Sequence, residues 1–191
     1  MDIHSVKLEQ ALAVLGDLLT DRGHYYEVVA IGGGGLLLLG QIERPTKDLD
    51  LIALVEEDQL VSATPLPLGL LQAAEDVGRA LDLGEGWLNV GPAVLLETGL
   101  PEGFQQRMQT RYYEGLTIHL AGRFDQICFK LYAAVDQGPD SKHFADLKHL
   151  NPSREELQTA RCWCVTQDTS EPFSIELNHA MNILGGDNEH S

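Results

Sequence analysis

The stretch that decides the fold is residues 26–54, YEVVAIGGGGLLLLGQIERPTKDLDLIAL. Its first six residues, Tyr26–Ile31, are rich in β-branched and aromatic side chains, which predicts a strand. Four glycines, Gly32 to Gly35, follow this strand, and four leucines after them predict a short apolar helix. Because glycine has no Cβ, such a backbone can approach a phosphate group closely and offer its N–H groups.

Two aspartates, Asp48 and Asp50, open a second apolar run that extends from Leu49 to Val55. Alternate residues of a strand share a face, so both carboxylates are expected on one side and Leu49 on the other. Two carboxylates so close together repel each other unless a cation lies between them, and Mg²⁺ takes oxygen ligands of this kind. A glycine turn with an acidic pair one strand later suits a metal-bound nucleoside triphosphate. The alternative is an ordinary glycine turn and a solvated acidic strand edge.

This pattern resembles the signature of the polymerase-β-like nucleotidyltransferase superfamily, an apolar residue and two small residues followed by Asp-x-Asp on a strand. Ile31-Gly32-Gly33 and Asp48-Leu49-Asp50 match that signature. The run from Arg44 to Asp50, RPTKDLD, is most similar to the AbiEii-type toxins and their bacterial relatives. The resemblance implies a phosphate site at Gly32, Gly33, Gly34 and Lys47, and Mg²⁺ bound by Asp48 and Asp50.

In the C-terminal half, two charged residues interrupt apolar helical patterns. Lys130 lies within the apolar stripe of one predicted helix, and Asp146 borders the stripe of the next. A charge near a core needs a partner, so the two side chains are expected to meet across packed helices. The segments FKLYAA and SKHFADL resemble those that complete the active site of the family, which implies catalytic roles for Lys130 and Asp146. The alternatives are a salt bridge that only pairs the helices, or a lysine that reaches water.

One feature departs from the family pattern. Many members of the superfamily supply a third metal-binding carboxylate from a later strand, where this chain offers His119, with Glu114 near the start of the strand. Three interpretations stay open: a weakly held second metal, replacement of the third carboxylate by Asp146, or loss of activity.

Periodicity predicts the rest of the organisation. Apolar residues at helical spacing predict a helix near the N-terminus and another at residues 70–81, while Leu116–Leu120 is expected to be a strand. The fold class is therefore expected to be α/β (α+β), with a small mixed sheet of nucleotidyltransferase type flanked by helices and then a helical half. The expected domains are an α/β core, residues 1–122, and a helical region, residues 123–191, packed on it with a cleft at the seam.

The composition limits the classes of partner that the protein is expected to bind. A formal net charge of −16 disfavours nonspecific nucleic-acid binding, which depends on Lys and Arg contacts to phosphate. The acidity favours solubility, with a basic protein partner as the alternative. No apolar run approaches the roughly 20 residues of a membrane helix, and the N-terminus lacks the pattern of a signal peptide. We therefore expect a cytoplasmic protein with no membrane contact.

The sequence predicts a Mg²⁺-dependent nucleotidyltransferase that moves a nucleoside monophosphate from an NTP to an acceptor, either a tRNA, a protein or a small molecule. The resemblance to AbiEii-type proteins implies the toxin of a toxin–antitoxin pair, with a cognate antitoxin as its protein partner. The alternative is a catalytically inactive protein of the same fold that binds a nucleotide or a partner protein.

Overall fold

The computed structural model describes residues 2–187. The chain divides into two compact units, an N-terminal unit, Met1–Gly122, and a C-terminal unit, Arg123–Ser191. The N-terminal unit combines a mixed sheet with helices, and the C-terminal unit is helical. These observations confirm the mixed α/β fold class with a helical C-terminal half.

The helices and strands of the N-terminal unit are α1 (Ser5–Asp21), β1 (Tyr26–Ile31), α2 (Gly32–Leu38), β2 (Leu49–Glu56), β3 (Gln59–Ser62), α3 (Leu68–Ala80), β4 (Leu88–Asn89), a 3-10 turn (Gly91–Ala93), α4 (Val94–Thr98), α5 (Phe104–Arg107), β5 (Gln109–Tyr113) and β6 (Leu116–Leu120). Those of the C-terminal unit are α6 (Arg123–Gln137), α7 (Lys142–Leu150), α8 (Arg154–Gln167) and α9 (Glu171–Asp187).

Within residues 2–187 the strands form one six-stranded sheet in the order β3-β2-β1-β6-β5, and β4 pairs with the start of β2. The sheet is mixed because β1 is antiparallel to β2 and parallel to β6. The register sets Ile31, the last residue of β1, opposite Asp50. A shift of register between Val29 and Ala30 leaves Ile52 as the extra residue of a β-bulge, two residues after Asp50. Such bulges bend a strand and change the direction of nearby side chains.

Helix α1 packs against α3 and against the strands β5 and β6. The predicted stripe of this helix is confirmed, because its leucines at helical spacing are fully buried: Leu8, Leu12, Leu15 and Leu19. Gly16 permits the close approach of helix and sheet, since a Cβ at this position would lie 2.9 Å from the backbone of Tyr113.

The glycine run forms the first part of helix α2 instead of a turn before it, which corrects the sequence prediction. Glycine within a helix costs about 1 kcal/mol relative to alanine, so propensity alone argues against this placement. Close packing against β2 explains it. A Cβ on Gly34 would lie 2.7 Å from Leu49 Cδ1 and 2.9 Å from the carbonyl oxygen of Asp48.

Strands β3 and β5 were not predicted. Strand β3 pairs with the end of β2 across a tight turn in which Glu57 and Asp58 have φ angles of 48° and 62°. Glutamate rarely adopts this left-handed conformation, so the sequence carries no turn signal there. Strand β5 is an exposed edge strand, and its residues show no alternation of apolar and polar side chains.

In the C-terminal unit, α6 packs against α7, α8 and α9. The sequence predicts a helix cap at Ser141 and a capping box at Ser153–Glu156, and both helix starts are confirmed. The hydroxyl of Ser141 accepts a hydrogen bond from the N–H of Phe144, and Ser153 and Glu156 form a reciprocal capping box at the start of α8. Among residues 2–187, no helix is both long and apolar enough to cross a membrane.

Candidate functional site

Asp50 lies at the start of β2, between the end of β1 on one side and β4 on the other. Its carboxylate oxygen Oδ1 accepts a hydrogen bond of 2.6 Å from Asn89 Nδ2. Its other oxygen, Oδ2, lies against Gly32, where an added Cβ would collide with it. Gly32 has a φ of 73°, which also favours glycine. The carboxylate is therefore enclosed between the glycine run and β4.

Asp48 is half-buried and comes directly before β2, with Leu49 fully buried between the two aspartates. This pattern agrees with the predicted alternation. The loop before Asp48 is held at Thr46, whose backbone exchanges hydrogen bonds with Ile3 in an isolated bridge. The Thr46 hydroxyl donates to the carbonyl of Asp48 at 3.0 Å. Lys47, predicted to contact phosphate, is exposed in this loop, and that role stays a prediction.

Arg44 is the basic residue that the structure places beside the glycine run. A Cβ built on Gly33 would lie 3.2 Å from a terminal nitrogen of the Arg44 guanidinium and 3.2 Å from the Thr46 hydroxyl. The guanidinium also donates to the carbonyl of Pro45 at 3.1 Å. The resemblance predicts a phosphate contact for Lys47, and Arg44 belongs to the same run of sequence. Arginine carries five N–H donors and commonly binds phosphate in a bidentate manner.

The C-terminal end of α2 is hydrogen-bonded to β5, the strand at one edge of the sheet. Arg111 on β5 donates to the carbonyl of Leu38, the last residue of α2, at 2.9 Å. The neighbouring Tyr113 hydroxyl donates to Glu9 on α1 at 2.5 Å. Burial, and then the hydrogen bond to Glu9, raise the pKa of Tyr113 well above its usual range. These contacts fix the glycine helix relative to β5 and α1.

His119 contacts residues of the two strands beside β6. Its Nε2 atom lies 3.1 Å from Glu27 Oε2 on β1, and its Nδ1 atom lies 3.0 Å from Thr110 Oγ1 on β5. The imidazole is 16% exposed and the Glu27 side chain is 51% exposed. Both ring nitrogens therefore have partners in the sheet, which gives His119 a structural role there.

The register also separates His119 from the acidic pair. Asp50 is opposite Ile31, and β6 reaches the level of Ile31 at Ala121, two residues after His119. At about 4.8 Å per strand and about 3.3 Å per residue, the Cα atoms of His119 and Asp50 are about 12 Å apart. Glu114 lies in the turn at the opposite end of β6. The register therefore places neither His119 nor Glu114 level with Asp50, and a metal-binding role for either residue stays a prediction.

The donor set at the acidic pair fits Mg²⁺. Within residues 2–187 no group of three or more His, Cys, Asp or Glu side chains could hold one metal ion. Mg²⁺ keeps several water ligands and takes the others from one or two carboxylates and from substrate phosphates. Asp48 and Asp50 supply carboxylates of this number and kind. A structural zinc site, by contrast, needs four nitrogen or sulfur ligands in most proteins.

Lys130 and Asp146 form the predicted ion pair between α6 and α7. The distance from Lys130 Nζ to Asp146 Oδ2 is 2.7 Å, and the two side chains are 3% and 2% exposed. Asp125 and Gln126 on the same helix α6 are also fully buried. The contact confirms that the two residues meet. Their membership of an active site with Asp48 and Asp50 stays a prediction, and the depth of the pair also suits the helix-pairing alternative.

A cavity of about 630 Å³ lies between α3 and the loop that precedes β4. Leu71, Gly78, Trp87 and Leu88 are among its lining residues. Leu88 and Asn89 are consecutive strand residues, so their side chains point to opposite faces of the sheet. Because Asn89 contacts Asp50, the cavity on the Leu88 side is separate from the acidic pair.

Comparison with known proteins gives no relative: no family profile matches the chain, and no curated protein or solved structure matches it significantly. Function is therefore inferred from the residues and their geometry.

Proposed function

We propose that the protein is a Mg²⁺-dependent nucleotidyltransferase that transfers a nucleoside monophosphate from an NTP to an acceptor. The observation that carries the proposal is the position of Asp50. Its carboxylate lies between Gly32 and Asn89 at the start of a central strand, two residues after Asp48. The similarity of this stretch to the polymerase-β-like superfamily supports the same proposal.

In this mechanism Asp48 and Asp50 hold the metal ion, and Gly33 lets the triphosphate approach the backbone of α2. Mg²⁺ held by Asp48 and Asp50 would supply the positive charge that favours attack by the acceptor oxygen and departure of pyrophosphate. The Arg44 guanidinium, beside Gly33, offsets negative charge on the β- and γ-phosphates. Lys47 is a second candidate for that contact. We also propose that Lys130 contacts phosphate and that Asp146 either supports the metal ion or deprotonates the acceptor.

The second candidate function is a catalytically inactive protein of the same fold that binds a nucleotide or a protein partner. A specific observation favours it. Ala121, directly after β6, is level with Ile31 and Asp50, and alanine offers no metal ligand. Two-metal chemistry would then lack a third carboxylate from this strand.

The resemblance to AbiEii-type toxins adds the proposal that a cognate antitoxin is the protein partner and that the pair acts in the cytoplasm.

The test is incubation of the protein with Mg²⁺ and each NTP labelled at the α-phosphate. Release of pyrophosphate and transfer of label to tRNA, to protein or to a small molecule would be measured. Asp48→Asn and Asp50→Asn should each lower the rate by about 100-fold or more, because metal-based charge stabilisation contributes several kcal/mol.

Asp58→Asn is the matched control, because it removes the same charge from the turn at the other end of β2. It should retain the wild-type rate. Mg²⁺-dependent binding of an NTP without any label transfer would favour the inactive alternative. If the protein bound neither Mg²⁺ nor an NTP, both candidate functions would be refuted.

A further inference from the structure

Asn89 makes two hydrogen bonds that fix the orientation of its amide group. Its carbonyl oxygen Oδ1 accepts from the N–H of Gly91 at 3.0 Å, and its Nδ2 donates to Asp50 Oδ1 at 2.6 Å. Because a backbone N–H can only donate, the amide oxygen must face Gly91 and the NH₂ group must face Asp50. The identity of the two ends is therefore determined by the partners.

The position of Asn89 follows from strand pairing. Strand β4 has only two residues, and it pairs in parallel with β2 so that Leu88 is opposite Leu49 and Asn89 is opposite Asp50. The N–H of Leu49 donates to the carbonyl of Trp87 at 2.7 Å, which extends this pairing by one bond. The short strand thus presents one polar side chain to one carboxylate.

We infer that Asn89 is a positioning residue, which holds the Asp50 carboxylate in the orientation that binds Mg²⁺. The inference rests on the proposed function, because it assumes that Asp50 binds a metal ion. An ionised carboxylate has about four lone-pair directions on its two oxygens, so a bond from Asn89 leaves acceptor capacity for a cation. Gly32 limits the carboxylate on the Oδ2 side, so that Asn89 and Gly32 together restrict its rotation.

An amide suits this position better than an acid. In the absence of a metal ion, a third carboxylate at residue 89 would face Asp50 at hydrogen-bonding distance and repel it. The amide instead donates to the negative charge and stabilises it whether or not the ion is bound. Hydrogen bonds of this kind to metal-binding carboxylates typically change metal affinity or activity by about 10–100-fold when they are removed.

The first experiment measures Mn²⁺ and Mg²⁺ binding by titration calorimetry in wild-type protein and in Asn89→Ala, with a non-hydrolysable NTP analogue present. We expect the apparent affinity for the divalent ion to fall by about 10–100-fold, because the Asp50 carboxylate loses its donor. The affinity for the NTP analogue in the absence of divalent ions should stay within about twofold. An unchanged metal affinity in a folded Asn89→Ala protein overturns the inference.

The second experiment uses Asn89→Asp and remains informative if Asn89→Ala folds poorly. This variant should melt at a lower temperature than wild type in EDTA, because two carboxylates then face each other. Mg²⁺ should raise its melting temperature by more than it raises that of wild type, because an ion between the two facing carboxylates removes their repulsion, and a ligand of the folded state stabilises it by RT ln(1 + [L]/Kd). A substitution that only disturbed packing would lower the melting temperature equally with and without Mg²⁺.

Gln10→Glu on the exposed side of α1 is the charge-matched control for Asn89→Asp. It should leave the effect of Mg²⁺ on the melting temperature at the wild-type value. Equal effects of Mg²⁺ on both variants would overturn the inference and leave the proposed function in place. A wild-type protein that binds no divalent ion, with or without the NTP analogue, would overturn both.

Discussion

At the scale of single residues, the glycines of α2 allow close packing within the fold, in addition to their proposed contact with a phosphate ligand. The backbone of α2 meets β2 at Gly34, where a side chain would overlap Leu49 and the carbonyl of Asp48. At Gly33 the nearest groups are the end of the Arg44 side chain and the Thr46 hydroxyl. Two adjacent glycines therefore differ in what surrounds them, and substitution separates a packing requirement from a phosphate requirement.

We expect Gly34→Ala to lower the free energy of unfolding by about 1–3 kcal/mol, because overpacking against a backbone atom cannot be relieved by a rotamer change. Gly33→Ala should lower it less, because the Arg44 guanidinium can shift and alanine favours a helix by about 1 kcal/mol over glycine. Urea denaturation of both variants measures the difference. If Gly33→Ala is folded and also binds NTP as wild type does, the phosphate role of this glycine is wrong.

At the scale of helices, the Lys130–Asp146 pair is a buried ion pair between α6 and α7. Lys130→Met alone should destabilise the protein by about 3–5 kcal/mol, because it leaves the buried Asp146 charge without its lysine. The double substitution Lys130→Met with Asp146→Leu should recover most of that loss. Chemical denaturation of both single variants and the double variant measures the coupling, and additive losses would contradict the prediction.

The same variants separate the two interpretations of the pair. If Lys130 and Asp146 only join the helices, the stable double variant should keep its nucleotidyl transfer rate. If they take part in the reaction, it should be folded and inactive. The matched control is Arg161→Met, which removes an exposed hydrogen bond to Asn178 between α8 and α9 and should change both readouts little.

The elements that the sequence predicted are those with a strong local signal. The leucines of α1, the caps at Ser141 and Ser153, and the apolar run of β2 all depend on spacing that is readable from the chain itself. Strand β3 was missed because its turn uses Glu57 and Asp58 in an unusual conformation. The register between strands was not readable either. Whether His119 or Ala121 is level with Asp50 depends on how β1 aligns with β6, which no local pattern encodes.

The residues of the candidate site were likewise predicted only where the local sequence carries a signal. The acidic pair and the glycines were found from the sequence because they lie within one continuous stretch. Asn89 was not found, because its hydrogen bond to Asp50 depends on β4. This strand has only two residues, and the sequence around it shows no clear periodic pattern. An asparagine followed two residues later by glycine is a turn signal at most, and the chain contains no other sign of the contact.

At the scale of the whole molecule, the net charge of −16 lowers the affinity for nucleic acids and other negatively charged polymers. We expect no retention of nonspecific duplex DNA at physiological ionic strength up to a protein concentration of about 10⁻⁴ M, because such binding requires Lys and Arg contacts to phosphate. Gel mobility at several salt concentrations measures this. Micromolar binding with a steep dependence on salt would contradict the prediction and indicate a local basic surface.

The two tryptophans of the chain are divided between the two units. Trp87 is buried in the N-terminal unit, where its indole N–H donates to the carbonyl of Ala74. Trp163 lies in the C-terminal unit, edge-on to the rings of Phe129 and Tyr132. Each unit thus contains its own intrinsic fluorophore. Replacing either tryptophan with phenylalanine leaves tryptophan emission from the other unit alone. The unfolding of each unit can then be recorded separately in the intact chain.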